Sequence, residues 1–187
     1  MTLVLGMELP ALLTGLGAMI CLTAAPMCRD RQAILLVQIA AGVFFAAHYA
    51  LLGIAVAALA NLLGLVQTGA ALFAGRSAAM TRLGYALIAA MVLCGLVFWQ
   101  GPISALSVIA LSLLALGRMQ TNELHLRLLL LAGGFFWILH DFIGGAWIAL
   151  AADIGAFTTG IAALFTMLVR VTIEWRPAAT AGMPAAA

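Results

Sequence analysis

The chain has 187 residues, of which 66% are hydrophobic and only 7% are charged, and its mean hydropathy is +1.23. A soluble globular domain has an apolar fraction nearer ~45 to 50%, so this composition excludes one and predicts an all-α integral membrane protein. The formal net charge of +2 comes from arginines spread over several loops, without the basic patch that is typical of nucleic-acid binding.

Apolar runs between charged residues, glycines and prolines predict seven transmembrane helices, because one span needs about 20 apolar residues. The first run has no basic segment ahead of it, so we expect a retained helix and not a signal peptide. The segment after Trp175 has no periodic apolar face and is predicted to be disordered. The predicted helices cover residues 4–26, 32–52, 54–75, 81–99, 102–118, 124–144 and 146–170.

Basic residues occur at every second connection between the predicted helices. The turns near Gly53, Gly101 and Gly145 carry none of them. The positive-inside rule therefore predicts a multi-pass protein of the bacterial inner membrane, with its N-terminus outside and its C-terminus in the cytoplasm. The arginines that determine this orientation are Arg29, Arg31, Arg76, Arg82, Arg118, Arg127, Arg170 and Arg176.

An internal repeat relates the two halves of the chain at a constant shift of 92 positions. This shift maps helices one to three onto helices five to seven and leaves helix four as a linker. An odd number of spans separates the copies, so the two triplets are expected to run in the same direction as parallel repeats. The predicted units are residues 1–76 for the first triplet, 77–100 for the linker, 101–172 for the second triplet and 173–187 for a cytoplasmic tail. Identical residues meet at Gly42 and Gly134, Phe44 and Phe136, His48 and His140, Gly53 and Gly145, Ala57 and Ala149, and Ala60 and Ala152.

The repeat places one polar residue in the third helix of each triplet, Asn61 and Asp153. Each lies eight residues beyond the preceding turn, or about 12 Å into a hydrocarbon core about 30 Å thick. Small or polar residues share their helical faces, at Gly64, Thr68 and Gly160. We expect these five residues to line a substrate-binding pocket near the midplane. The alternative is that Asn61 and Asp153 are hydrogen-bonding groups that hold helices together.

His48 and His140 lie four to five residues inside the outer ends of their helices, and Tyr49 and Asp141 follow them. These four residues are predicted to form an outer gate above the midplane pair, with Asp141 orienting an imidazole and making the gate sensitive to pH. The alternative is that the histidines bond backbone or interfacial water and only pack.

Catalytic motifs are not found in the sequence. It has no phosphate loop, no HExxH and no GxSxG elbow, and an intramembrane enzyme has only the pair His140 and Asp141 in its favour. The three cysteines, Cys21, Cys28 and Cys94, lack the spacing of a metal site. We therefore expect no enzymatic activity, no cofactor and no metal.

Two motifs carry a resemblance to a known family. His48-Tyr49-Ala50-Leu51-Leu52-Gly53 leads to Asn61, and Trp137-Ile138-Leu139-His140-Asp141-Phe142 lies in the second half. Both resemble the YgjV-type bacterial inner membrane proteins, in which HxxLLG leads to an Asn and W-[IV]-[IL]-H-[ND]-F recurs.

More distantly, the three-one-three layout resembles the SWEET and PQ-loop superfamily of carriers and receptors. In SWEET sugar carriers an Asn on the third helix and another on the seventh face a central pocket, which implies such roles for Asn61 and Asp153. The chain departs from that superfamily because Met27 follows Pro26 where a PQ motif has Gln, and because Arg118-Met119 replaces the motif in the second half. Helices two and six also lack the prolines that are hinges in those carriers.

The sequence thus predicts a carrier of a small polar solute through a central pocket, with Asp153 able to couple transport to protons. The alternative is a non-transporting scaffold or receptor that holds a peptide, lipid or protein partner in the same cavity. The expected partners are membrane lipids and the solute, without nucleic acid, and the sequence leaves the oligomeric state open.

Overall fold

The computed structural model describes residues 3–4, 7–99 and 101–174. Within these residues the regular structure is helical, as the sequence predicts, apart from a short hairpin that the sequence does not predict. The hairpin is β1 Leu3–Val4 and β2 Met7–Glu8, and the helices are α1 Leu9–Ala24, a 3₁₀ turn Ala25–Met27, α2 Arg31–Leu51, α3 Ala55–Leu72, α4 Ala78–Val97, α5 Ile103–Met119, α6 Glu123–Gly144 and α7 Trp147–Glu174.

The first helix begins later than the sequence predicts. Residues predicted to be helical from position 4 include part of an antiparallel hairpin, in which Leu3 pairs with Glu8 and Val4 with Met7. Pro10 lies in the first turn of α1. Proline lacks a backbone N–H, which is tolerated there because first-turn donors have no intrahelical partner. The helix therefore begins beside the proline.

Side-chain caps fix the starts of three helices. The carboxylate of Asp30 accepts a hydrogen bond from the backbone N–H of Ala33 at 2.9 Å, and the amide oxygen of Asn122 accepts from His125 at 3.2 Å. Ser77 does the same at the start of α4. Each cap satisfies a donor that the helix itself cannot pair. At the other extreme of the chain, α7 continues to Glu174, two residues into the predicted tail, and residues 175–187 lie outside the described part.

The turns after α2 and α6 have the same backbone conformation. Gly53 and Gly145, which occupy equivalent positions in the repeat, have φ values of 72° and 71°. This left-handed region is open to glycine at little cost because glycine has no Cβ. The two glycines thus end the second helix of each triplet in the same way.

The helices pack mainly in chain order, with α2 between α1 and α3, and α6 between α5 and α7. The triplets also touch each other, because α1 packs against α7 and α3 against α5. The linker helix α4 contacts α3 and α5. Five helical segments are long and apolar enough to cross a membrane, and α3 and α5 contribute shorter apolar helices. The five segments are Leu9–Met27, Arg31–Leu51, Ala78–Val97, Glu123–Gly144 and Ala149–Arg170.

We call the end of the bundle where α1, α3 and α5 finish the arginine end, since Arg31, Arg118 and Arg127 meet there. The end with the turns at Gly53 and Gly145 is the opposite end. A buried apolar cluster lies toward the arginine end and joins α2, α3, α4, α5 and α6. Its members are Ile34, Leu35, Ala71, Ala74, Ile88, Met91, Ala115, Met119 and Leu126.

Candidate functional site

A cavity of about 80 Å³ lies between the two triplets. Residues of α1, the 3₁₀ turn and α2 form one side, and residues of α5, α6 and α7 form the other. Among the described residues, three polar side chains reach it, those of Gln38, Arg127 and Asp153. The rest of its lining is apolar or small and consists of Leu22, Pro26, Ile34, Leu114, Leu130, Leu131, Gly134, Trp137, Ala156, Phe157 and Gly160.

Asp153 reaches the cavity beside a second carboxyl group. The side chains of Asp141 and Asp153 lie close enough to interact with each other. Asp141 is only 5% exposed, whereas Asp153 is partly exposed and lines the cavity. The two carboxyl groups, one on α6 and one on α7, therefore form one ionisable cluster beside the cavity.

Neighbouring rings surround this carboxyl pair. Nδ1 of His140 lies 2.8 Å from Oδ1 of Asp141, and the ring of Trp137 meets the His140 ring edge-on at 5.2 Å between centroids. Tyr49 of α2 is close enough to interact electrostatically with both carboxyl groups. Tyr49 belongs to the first triplet and the carboxyl pair to the second, so the cluster spans the junction between them.

Arg127 closes the cavity at the arginine end. Its guanidinium donates to the carbonyl oxygens of Pro26 and Cys28, both at 2.6 Å, and to Oε1 of Glu123 at 2.9 and 2.7 Å. Arg127 also lines a second cavity of about 50 Å³, together with Arg29 and other residues at the arginine end. The side chain of Arg127 thus lies between two cavities and is bonded to the end of the first helix of the other triplet.

Gln38 enters the cavity with its orientation fixed. Nε of Arg118 donates to its Oε1 at 2.8 Å, which joins α5 to α2. Since its oxygen is engaged, Gln38 has its NH₂ group left to turn toward the cavity. Arg118 has no carboxylate partner among the described residues, so its positive charge lies directly behind this amide.

Residues 9–170 match the family model described as Imp-YgjV, bacterial inner membrane protein. The chain belongs to this family. It is therefore a multi-pass protein of the bacterial inner membrane, which confirms the resemblance that the two motifs carry. Comparison with curated proteins and with solved structures gives no match. The relation to SWEET and PQ-loop carriers stays a prediction.

In this YgjV-family protein, the residues predicted to bind substrate separate into two groups. Asp153 and Gly160 line the cavity. Asn61, Gly64 and Thr68 are not among its described lining residues, and the Asn61 amide donates to the Ala57 carbonyl oxygen of its own helix at 2.9 Å.

The face of α3 that carries Gly64 and Thr68 has a packing role. A Cβ built on Gly64 would lie 3.9 Å from Cε of Met91 in α4, and the Thr68 hydroxyl donates to the Gly64 carbonyl oxygen at 2.7 Å. At Gly64, this face of α3 therefore points at the linker helix α4. The corresponding stripe of α7 contains Gly160, where an added Cβ would come within 2.9 Å of Leu131.

The two gate histidines of this family member have different surroundings. Nδ1 of His48 lies 2.7 Å from the carbonyl oxygen of Ala11, and a Cβ at Gly15 would lie 2.9 Å from the His48 ring. His48 is thus held against α1 at a position where glycine leaves room for it. His140 bonds to a carboxylate instead and belongs to the ionisable cluster.

The sequence did not single out Gln38, Arg118 or Arg127 as a connected group. The arginines were interpreted as topology signals, and Gln38 as one of many polar residues in a helix. One signal was present, because Arg127 lies four residues inside α6 and not in the connection before it. A charge placed inside a predicted span is a functional-site hypothesis.

Proposed function

We propose that the chain is a carrier of a small polar solute, which binds in the cavity between the two triplets. The observation that supports this most is the cavity itself, because both triplets line it and an ionisable group, Asp153, reaches it. Solute sites of carriers built from repeats lie at such interfaces. Buried charge in a membrane bundle is costly, so it is retained mostly where it serves a pathway.

The size of the cavity favours a small solute over a peptide or a lipid chain. One water needs about 10 to 15 Å³ of cavity volume, so about 80 Å³ holds roughly five to eight atoms of water size. A receptor that holds a peptide would need a larger opening. We propose no chemical reaction for the chain, and we infer a three-one-three arrangement with α4 as a linker between the triplets.

The bonds at the arginine end give the carrier a closed side. Arg127 ties α6 to the end of α1, and Arg31 ties α2 to the end of α5 through the carbonyl oxygens of Gln120 and Arg118 at 2.5 and 3.0 Å. Each tie joins the second helix of one triplet to the first helix of the other. The positive-inside rule predicts that this closed side faces the cytoplasm, and we propose that the carrier is shut toward the cytoplasm in this conformation.

Flux measurements test the proposal. Purified protein is reconstituted in liposomes, and uptake is measured for a panel of labelled amino acids, short amines, carboxylates, polyols and sugars. We expect protein-dependent uptake of at least one of them, reduced at least tenfold by Asp153→Asn. Thr158→Ala is the matched control on the same helix, because Thr158 is exposed and bonds only to Ile154 of its own helix.

Absence of uptake across the whole panel by folded protein would contradict a carrier. Co-purification of a stoichiometric protein or lipid partner, without flux, would favour the scaffold or receptor instead. Uptake that Asp153→Asn leaves unchanged would contradict the assigned site.

A further inference from the structure

The two polar ends of the central cavity have opposite chemistry. Asp153, backed by Asp141, supplies negative charge on one side. On the other side Gln38 supplies amide donors, with the guanidinium of Arg118 behind them. A solute that pairs with both ends carries a donor at one end, where the carboxyl groups favour a cation, and an acceptor at the other.

The surroundings of Gln38 favour an anionic group of the solute at this end of the cavity. Its Oε1 is engaged by Arg118, and no hydrogen bond among the described residues uses its Nε2. An amide NH₂ group that is polarised by an adjacent guanidinium suits a carboxylate oxygen. Arg127 adds to the positive field, but Glu123 offsets its charge and its donors are mostly engaged.

The positions of these groups place them at different depths. Gln38 lies 13 residues before the end of α2 at Leu51, and Asp153 lies six residues after the start of α7 at Trp147. The two positions therefore differ in depth by about 10 Å along the helices, so the two side chains approach the cavity from opposite ends. The few non-hydrogen atoms of a short amino acid suit the volume of the cavity.

We propose that the cavity binds a short, unbranched zwitterionic amino acid, with its ammonium group at Asp153 and its carboxylate at the amide of Gln38. This inference rests on the proposed function and names its solute. Trp137 lines the cavity on the side of the carboxyl pair, where an indole ring attracts an ammonium group. Leu114, Leu130 and Phe157 pack around the methylene groups.

Binding to the purified protein in detergent, measured by calorimetry, tests the two ends separately. The probes are 3-aminopropanoate, propylammonium and propanoate, which share a three-carbon chain and differ only in their charged groups. We expect 3-aminopropanoate to bind at least tenfold more tightly than either singly charged probe, because each of those leaves one polar end of the cavity unpaired.

Two substitutions assign the ends. Asp153→Asn is expected to weaken 3-aminopropanoate at least tenfold and to leave propanoate unchanged. Asparagine has nearly the same shape as aspartate and lacks its charge, so the fold is expected to be retained while the pairing with an ammonium group is lost. Gln38→Leu is expected to weaken 3-aminopropanoate and propanoate, and to leave propylammonium unchanged. Thr158→Ala is the control and is expected to change none of the three.

Equal affinity for the three probes, or a substitution that acts on the wrong probe, would contradict the zwitterion. Absence of binding by all three would also contradict it. If a different solute then shows uptake that depends on Asp153, the carrier stands and only the class of solute is wrong. If the whole flux panel also fails, the carrier is wrong as well.

Discussion

The guanidinium of Arg127 donates to the carbonyl oxygen of Pro26 at 2.6 Å. This bond joins α6 of the second triplet to the 3₁₀ turn that ends α1 of the first. The last carbonyl groups of a helix have no intrahelical donor, and they lie at the negative end of the helix dipole. A buried arginine at this point therefore both satisfies the end of the helix and holds the two triplets together.

Arg127→Met is expected to destabilise the protein by about 2 kcal/mol, because charge-assisted hydrogen bonds to two carbonyl groups and one carboxylate are lost. Thermal unfolding in detergent measures this change. The control is Arg29→Met, which changes a neighbouring arginine that lines the same second cavity and is expected to shift the midpoint by much less. Equal shifts for the two variants would contradict the clamp.

The same substitution is expected to open the cavity toward the arginine end. Access is measured with a single cysteine at position 156, because Ala156 lines the central cavity between the triplets. The native cysteines Cys21, Cys28 and Cys94 are replaced by serine in this variant. The reaction of the single cysteine with a charged thiol reagent that is added from the arginine side should be slow, and several-fold faster when Arg127 is Met. Unchanged labelling would show that Arg127 does not separate the two cavities.

The neighbouring glycines Gly133 and Gly134 provide a second test of packing. A Cβ at Gly133 would lie 2.8 Å from the side chain of Leu114 and 3.0 Å from the carbonyl oxygen of Ala110, both in α5. A Cβ at Gly134 would lie 3.6 Å from Phe157, an ordinary contact. Gly133→Ala is thus expected to destabilise by about 1 to 3 kcal/mol. The stability of Gly134→Ala should stay near that of the wild type, as measured by thermal unfolding in detergent. A larger loss of stability for Gly134→Ala than for Gly133→Ala would contradict this packing of α5 against α6.

The helices were predictable from the sequence to within a few residues, because their ends depend on local features. Pro10, Asp30, Asn122 and Gly145 act within one turn of the chain, through a missing donor, a cap or a left-handed conformation. The hairpin before α1 was missed because its four described residues are too short a stretch for a periodic pattern.

The candidate site was predictable only in part. The depth of Asp153 follows from counting along α7, but the direction of a side chain around a helix depends on which neighbours pack there. Asn61 was given the same role by symmetry, yet its amide bonds within α3. The contact of Asp141 with Asp153 joins a group assigned to the gate with one assigned to the midplane, and it depends on how α6 and α7 cross.

We expect the two histidines to have different roles, with His48 packing against α1 and His140 taking part in the site. His48 bonds to the carbonyl oxygen of Ala11, so His48→Phe removes one hydrogen bond and is expected to lower stability by about 1 kcal/mol. Because His48 touches no residue of the carboxyl pair in the described contacts, His48→Phe should keep the uptake of the wild type in the liposome assay. His140→Phe removes the partner of Asp141 beside the cavity, and it should reduce uptake several-fold. If His48→Phe reduces uptake as much as His140→Phe does, the two histidines act together as the gate that their symmetry predicts, and the assignment of His48 to packing is wrong.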